Sequence, residues 1–264
     1  MAKVALVTGG GTGIGASAAK LMAQQGWTVV ICGRREAPLQ KVASAQPGII
    51  PMVADLEQPE ENARLINDIV AQQGRLDGLV LNAGVQRMAP VEHQTVEEWN
   101  QIIAINLTSP FLMVKAALPQ LLANKGAIVT VASVAALRSP NAMAAYAPSK
   151  AGVLSLAQQI AVDYSPHGIR SNVVCPGWTR TELADEEMGH IAQARGTDLD
   201  GCYNFVTSFV PQRRAGYSDE VGNVIAFLMS DAASYVNAAV ITVDGGHIAL
   251  DPGTIPFDPR VTIS

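Results

Sequence analysis

Residues 4–15 read Val4-Ala5-Leu6-Val7-Thr8-Gly9-Gly10-Gly11-Thr12-Gly13-Ile14-Gly15, and their order decides the fold. The apolar run 4–7 is short and closed by a glycine turn, the pattern of a strand buried on both faces of a parallel sheet. From Ile14 to Gln25 the spacing is helical, and Gly26 supplies the residue that ends such a helix. A glycine loop between strand and helix presents backbone N–H groups beside the positive end of the helix dipole, where a pyrophosphate binds. Gly9 permits the tight turn, Gly13 lets backbone approach phosphate, and Gly15 lets helix pack on strand. The strand-before, helix-after context separates this motif from an ordinary glycine turn.

The alternation continues along the chain. Strands are predicted over 28–32, 49–53, 76–81, 127–132, 170–174 and 239–243. Helices are predicted near 38–44, over 60–73, 97–122 and 146–164, and from Ser218. The 97–122 helix is expected to bend at Pro110 and Pro119. This rhythm implies an α/β protein with a doubly wound parallel sheet in three αβα layers, as one domain over 1–264. Two stretches break it. Residues 182–217, inserted late, read as a lid or binding loop at the carboxyl ends of the strands. The tail 247–264, with Pro252, Pro256 and Pro259, reads as an extended arm or partner contact.

With 48% hydrophobic and 16% charged residues in 264, much of the chain is core. The net charge is −5 and the longest basic clusters are the pairs Arg34-Arg35 and Arg213-Arg214, which argues against nucleic acid. Cys32, Cys175 and Cys202 are far apart, with neither disulfide-scaffold nor metal-ligand spacing, so no metal is expected and a reducing cytoplasm fits. The run after Lys3 leads into the glycine loop rather than a cleavage site, and no uninterrupted apolar run is long enough to span a membrane.

Tyr146-Ala147-Pro148-Ser149-Lys150 places a tyrosine and a lysine one helical turn apart. Pro148 fits only in a first turn, so Tyr146 opens the helix. A nearby ammonium favours the phenolate, and the pair is expected to bring the Tyr146 pKa down toward the working range as an acid/base centre.

Together, Thr-Gly-x-x-x-Gly-x-Gly at 8–15, Asn82-Ala83-Gly84, Ser133, Tyr146 with Lys150, and Pro176-Gly177 resemble, in type and order, the single-domain branch of the short-chain dehydrogenase/reductase family. The match spans about residues 3–246. The resemblance implies a Rossmann-type fold and hydride transfer between a nicotinamide dinucleotide and a carbonyl or alcohol. Tyr146 would exchange the proton at the substrate oxygen. Ser133 would polarise that oxygen, Lys150 would hold the nicotinamide ribose, and Asn106 would bend its helix and hold a relay water. Thr8, Gly9, Gly11, Thr12, Gly13, Ile14 and Gly15 would form the pyrophosphate turn. Asn82, Ala83 and Gly84 would border the adenosine ribose, Asp55 with Leu56 the adenine, and Pro176, Gly177, Thr179 and Thr181 the carboxamide and pyrophosphate. Threonine at 179 and Asn237-Ala238 before the last strand depart from the family pattern.

The end of the second predicted strand selects the cofactor. An acid there would bind a ribose 2′-hydroxyl and repel a 2′-phosphate. Gly33 stands in its place and Arg34 follows, a planar donor suited to phosphate. NADP(H) is therefore expected over NAD(H), with Thr12 and Glu36 weighing the other way. Gln86, Met88, Trp178, Met188 and Tyr203 are the candidate substrate contacts, with Phe205 and Arg138 behind them. His93, His167, His190 and His247 form no ligand set. The expected activity is a carbonyl reductase. An NAD-dependent alcohol or diol dehydrogenase and a cofactor-binding regulator without turnover are the alternatives. The family also implies a homotetramer, or a dimer, through helices near 100–120 and 146–164.

Overall fold

All five residues of the first strand are buried, as a strand covered on both faces requires. The computed structural model describes residues 2–261. In chain order the first elements are β1 (Val4–Thr8), α1 (Gly13–Gln24), β2 (Thr28–Gly33), α2 (Glu36–Ala45), β3 (Ile49–Val53), α3 (Pro59–Gln73), β4 (Gly78–Leu81), α4 (Val96–Ile103), α5 (Ser109–Asn124) and β5 (Ala127–Val131). There follow α6 (Tyr146–Tyr164), β6 (Arg170–Pro176), β7 (Thr179–Arg180), α7 (Glu182–Arg195), α8 (Leu199–Val206), β8 (Gly216–Tyr217), α9 (Ser218–Met229) and β9 (Val240–Val243).

Seven strands form one parallel sheet in the order β3-β2-β1-β4-β5-β6-β9. The chain winds outward from β1 to β3 and then crosses back to β4. This reversal opens a crevice beyond the carboxyl ends of β1 and β4, the usual ligand position in a doubly wound sheet. Met22, Leu39 and Ile225 from α1, α2 and α9 cover one face together with Val7 and Ile31. Leu65, Met113 and Ile160 from α3, α5 and α6 cover the other with Leu6, Val30 and Leu79. Each central strand thus divides its residues between two cores. This is the Rossmann-type architecture the alternation implied.

Three segments differ from expectation. The helix predicted over 97–122 is interrupted by a π-helical turn, Ala104–Thr108, that contains Asn106, while Pro110 lies in the first turn of α5. The helix runs on through this wider turn, and Pro110 just after it has no N–H to give the preceding turn, so the irregularity has both causes. The combined segment Val96–Asn124 is apolar and long enough to cross a membrane. Its Met113, Val114, Ala117 and Leu121 are nevertheless buried against the sheet and α3, so it serves as a core helix.

The stretch 182–217 is mainly helical rather than loop. Thr181 caps α7 by accepting from Ala184 N at 3.1 Å, and Asp198 caps α8 by accepting from Gly201 N at 2.7 Å. The two helices enclose a small core of their own, Met188, Ala192, Cys202, Tyr203 and Ala215. The tail also folds, as 3₁₀ turns His247–Ala249 and Pro252–Phe257, instead of running extended. The expectation for 262–264 lies outside the described residues. Before β9, Ala238 adopts φ 53, a left-handed conformation in which glycine is unstrained.

Candidate active site

The carboxyl ends of β1 and β4 are tied together before any ligand is considered. The Thr8 hydroxyl accepts from Asn82 N and Ala83 N, both at 2.9 Å, and Asn82 Nδ2 donates to Thr8 O at 2.9 Å. Thr8 is buried and lines neither of the two cavities that form the crevice, so it fixes the switch point from beneath. Gly9 and Gly13 have φ +63 and +53, which a side chain would strain. A Cβ on Gly15 would lie 2.4 Å from Gly9 O and 2.5 Å from Asn82 Nδ2, so its bare backbone lets α1 close on the loop. Gly10, not singled out in the sequence, is equally confined: its Cβ would stand 2.6 Å from that of Ile31.

Two adjoining cavities of about 680 and 490 Å³ share Gly9, Thr12, Ala83 and Gly84 and so form one groove across the switch point. Gly11, Gly33, Arg34, Asp55 and Leu56 line the smaller cavity. Gly13, Ile14 and Asn82 line the larger one from one side, and Pro176, Gly177, Thr179 and Thr181 from the other. Every predicted dinucleotide contact except Thr8 and Gly15 therefore faces the groove. Asp55 does not cap α3, whose N-cap is Gln58; its Oδ1 accepts from Glu57 N at 3.2 Å. Arg34 is exposed on the wall and has no ion-pair partner among the described residues, whereas Arg35 meets Glu182 at 2.8 Å. Thr179 is buried and donates its hydroxyl to Gly177 O at 3.1 Å.

Ser133, Tyr146 and Lys150 lie together on the larger cavity. Ser133 follows β5, and its Oγ accepts from Ala135 N at 3.1 Å, leaving its own hydrogen to donate. Tyr146 is the first residue of α6, and Lys150 lies one turn on with Nζ 5.7 Å from the tyrosine ring centroid. Lys150 Nζ donates to Val131 O at 2.9 Å. Asn106 is buried below them. It receives from Val85 N and donates to Val85 O, each at 2.9 Å, and donates to Ser149 Oγ at 3.0 Å.

The electrostatics correct one expectation. Burial pushes the Tyr146 phenol up to about 12; the neighbouring Ser133 hydroxyl opposes this and the Glu187 carboxylate adds to it. Burial also brings Lys150 down to about 8. Burial decides the direction for the tyrosine, because taking the phenol out of water penalises the phenolate. Tyr146 is a protonated acid at neutral pH.

The predicted substrate residues divide. Gln86 and Trp178 line the larger cavity, and Gln86 Nε2 donates to Glu187. Met88 does not line it and is 50% exposed. Met188 and Tyr203 are fully buried in the α7–α8 core, and the Tyr203 hydroxyl donates to Asp185 at 2.7 Å. They pack the insert instead of meeting substrate. Phe205 is exposed and also lies off the cavity, while Arg138 lines it. The sequence reading missed Glu187, His247 and the tail residues among the lining. Helical spacing in α7 marks the Glu187 face only once its packing partner is known. The prolines of the tail concealed its folding. The three thiols are buried, and burial pushes Cys32 up to about 12 and Cys175 up to about 11, which makes both poor nucleophiles.

A dinucleotide groove at the switch point, with a serine, a tyrosine and a lysine at one end, defines a nicotinamide-dependent oxidoreductase. The family model described as enoyl-(acyl carrier protein) reductase matches residues 9–247, and the chain belongs to the short-chain dehydrogenase/reductase family. It is an enzyme of this family acting on CH–OH groups with a nicotinamide dinucleotide as acceptor. The D-beta-hydroxybutyrate dehydrogenase of Cupriavidus necator is 34% identical over 94% of this chain and 98% of its own. The crystal structure of levodione reductase superposes with a TM-score of 0.90 at 30% identity, over 94% of this chain and 98% of that one. A Beutenbergia cavernae chain assigned as an NAD(P)-dependent gluconate 5-dehydrogenase, holding NADP at low occupancy, superposes with a TM-score of 0.84 at 31% identity, over 94% of this chain and 97% of that one.

Proposed function

We propose that this chain is an NADP(H)-dependent oxidoreductase that interconverts a secondary alcohol and a ketone and works as a carbonyl reductase, with Tyr146 as its acid/base. The observation that carries this reading is the convergence of Ser133, Tyr146 and Lys150 on one cavity. The groove suits the cofactor: a Cβ on Gly84 would come within 3.3 Å of Lys150 Nζ, so the bare backbone keeps that approach open. Gly9, Gly13 and the start of α1 would hold the pyrophosphate, and Lys150 the nicotinamide ribose. Bound NADPH would supply hydride to the carbonyl carbon.

The chain's own groups do the rest. Ser133 donates its free hydroxyl hydrogen to the substrate oxygen and polarises the carbonyl. Tyr146, protonated at neutral pH, delivers its proton to that oxygen as negative charge develops there. Lys150 keeps donors beyond its bond to Val131 O, and with a pKa of about 8 it can carry the replacement proton. Asn106 acts by position, because its side chain is taken up by Val85 and Ser149. Pro110 has no N–H to offer the Asn106 carbonyl, which leaves that oxygen able to hold a relay water.

The choice of NADP(H) rests on Gly33 and Arg34. No acid stands at the end of β2 itself, although Asp55 and Glu57 line the same cavity, and the exposed Arg34 guanidinium is unpaired among the described residues. Comparing NADPH and NADH affinity in the native chain and in Arg34→Asp tests this; an unchanged NADPH affinity would refute it. Thr12, in place of a basic loop residue, favours the second reading, an NAD-dependent alcohol or diol dehydrogenase. Assembly is proposed as a homotetramer, supported by the partly exposed Trp99, Phe111 and Val162 on α4, α5 and α6. Light scattering after size exclusion reads the assembly directly. Residues 1–264 are proposed to function as one catalytic domain.

A further inference from the structure

Beyond the reacting groups, the larger cavity is walled by two stretches that meet side by side. Val206, Phe209 and Val210 come from the end of α8 and the turn after it, and Ile248, Leu250 and Ile255 come from the C-terminal segment. None of these side chains carries a polar atom. The two stretches are joined by backbone, since Gln212 N donates to Gly245 O at 3.2 Å, and a Cβ on Gly246 would meet Pro211 Cγ at 3.0 Å. A polar clamp holds the end of the segment. Asp258 accepts from Arg260 Nε at 2.7 Å and from Arg213 at 3.2 Å. Arg260 Nη1 donates to Ser208 O at 2.9 Å, and its guanidinium lies 5.4 Å from the Phe209 ring centroid. The clamp thus fastens the tail to the same turn that supplies the opposite apolar wall.

Two polar atoms on residues lining the cavity, Glu187 Oε1 and His247 Nδ1, have no partner among the described residues, and the six apolar side chains make up the rest of this end. Glu187 accepts from Gln86 through Oε2 alone, and Arg138 is exposed. A polar arm on the substrate would find no partner among Val206, Phe209, Val210, Ile248, Leu250 and Ile255, and burying it there would be costly. An apolar group would be favoured at about fourfold in affinity per buried methylene.

Resting on the carbonyl-reductase reading, we propose that residues 247–260 are the specificity element of this enzyme, and that they select ketones and secondary alcohols bearing a bulky apolar group beside the reacting carbon. The small ketones that share the carbonyl but lack the group use only the Ser133–Tyr146 end of the cavity.

The test compares kcat/KM for cyclohexyl methyl ketone and acetone with NADPH in the full chain, in Asp258→Asn and in Ile255→Ser. Asp258→Asn loosens the clamp without touching the wall; Ile255→Ser alters the wall without touching the clamp. The native enzyme is expected to prefer the bulky ketone by about a hundredfold, and each variant to lose about tenfold on that ketone alone. Acetone turnover and NADPH affinity should stay within about twofold in both. Equal use of the two ketones by the native enzyme overturns the proposal. So does a loss shared equally by both ketones in the variants, which would mean that the tail only supports the fold. If no ketone is reduced with either cofactor, the reductase reading fails first. Binding of cyclohexyl methyl ketone to the NADPH complex, followed through Trp178 fluorescence with Trp178→Phe as blank, then decides alone. Binding weakened by Ile255→Ser sustains the specificity element, and unaltered or absent binding overturns it.

Discussion

Replacing Lys150 with methionine should abolish turnover and remove a pH-dependent strain from the fold. Lys150 is 5% exposed, and burial depresses its pKa from 10.5 to about 8. Below pH 8 both folded and unfolded chains carry the proton, and the folded state bears the full cost of a buried ammonium. Between pH 8 and 10.5 the unfolded state binds more protons than the folded state, so stability rises with pH. Above 10.5 neither is charged and the cost has gone. At ~1.36 kcal/mol per pKa unit, this one group should raise native stability by about 2.5 kcal/mol between pH 7 and pH 10. The absolute effect of the substitution also includes the lost bond to Val131 O, about 1–3 kcal/mol in the other direction. The pH swing is therefore the clean quantity. Urea denaturation of both proteins from pH 7 to 10 measures it and stays below the range in which Tyr146, raised to about 12, would reverse the trend. In this window the native-minus-variant difference should climb by about 2.5 kcal/mol. A difference flat with pH would show that Lys150 titrates normally, and the electrostatic account of the site would fall with it.

Other outcomes follow from particular contacts. Ala238→Gly relieves the left-handed strain at φ 53 and should stabilise the chain by about 0.5–1 kcal/mol after the glycine entropy cost, or about 1–2 °C in melting temperature. A lowered melting temperature would contradict the strain argument. Gly15→Ala should abolish dinucleotide binding in calorimetry, because its methyl would sit 2.4 Å from a backbone oxygen that cannot withdraw; retained affinity would refute the packing role. Arg34→Asp should weaken NADPH by about tenfold or more and leave NADH within about threefold, as read by fluorescence titration. Ser133→Ala should lower kcat by about 10²–10³ with little change in cofactor affinity, and an unchanged kcat would leave the carbonyl without its assigned donor.

How much of this was legible in the sequence depends on whether the deciding interactions are local. The β1–glycine–α1 unit could be read directly, because a buried strand, a positive-φ turn and a capped helix each impose their residues over short range. Tyr146 and Lys150 were readable because a helix start is a local feature, whereas Ser133 came from the family resemblance, with its place at a strand end in agreement. The π turn at Ala104–Thr108 was not, since one extra residue in a helical turn leaves the apolar spacing almost unchanged. Met188 and Tyr203 misled because an apolar residue in an inserted helix can face the cleft or its neighbour helix, and only the α7–α8 packing chooses. The tail misled for a related reason. Pro252 and Pro256 disfavour long helices, yet both fit short 3₁₀ turns whose stability comes from Arg213 and Arg260 far from the local sequence pattern. The sign of the Tyr146 shift needed burial, which no spacing reports.

The most direct test of the central claim is the oxidation of NADPH and NADH, measured side by side across ketones, diketones, quinones and 3-oxo esters, with Tyr146→Phe in parallel. The account predicts turnover that favours NADPH and vanishes in Tyr146→Phe while cofactor binding persists. Turnover that survives the loss of the tyrosine hydroxyl, or bound cofactor with no turnover of any carbonyl, would contradict it.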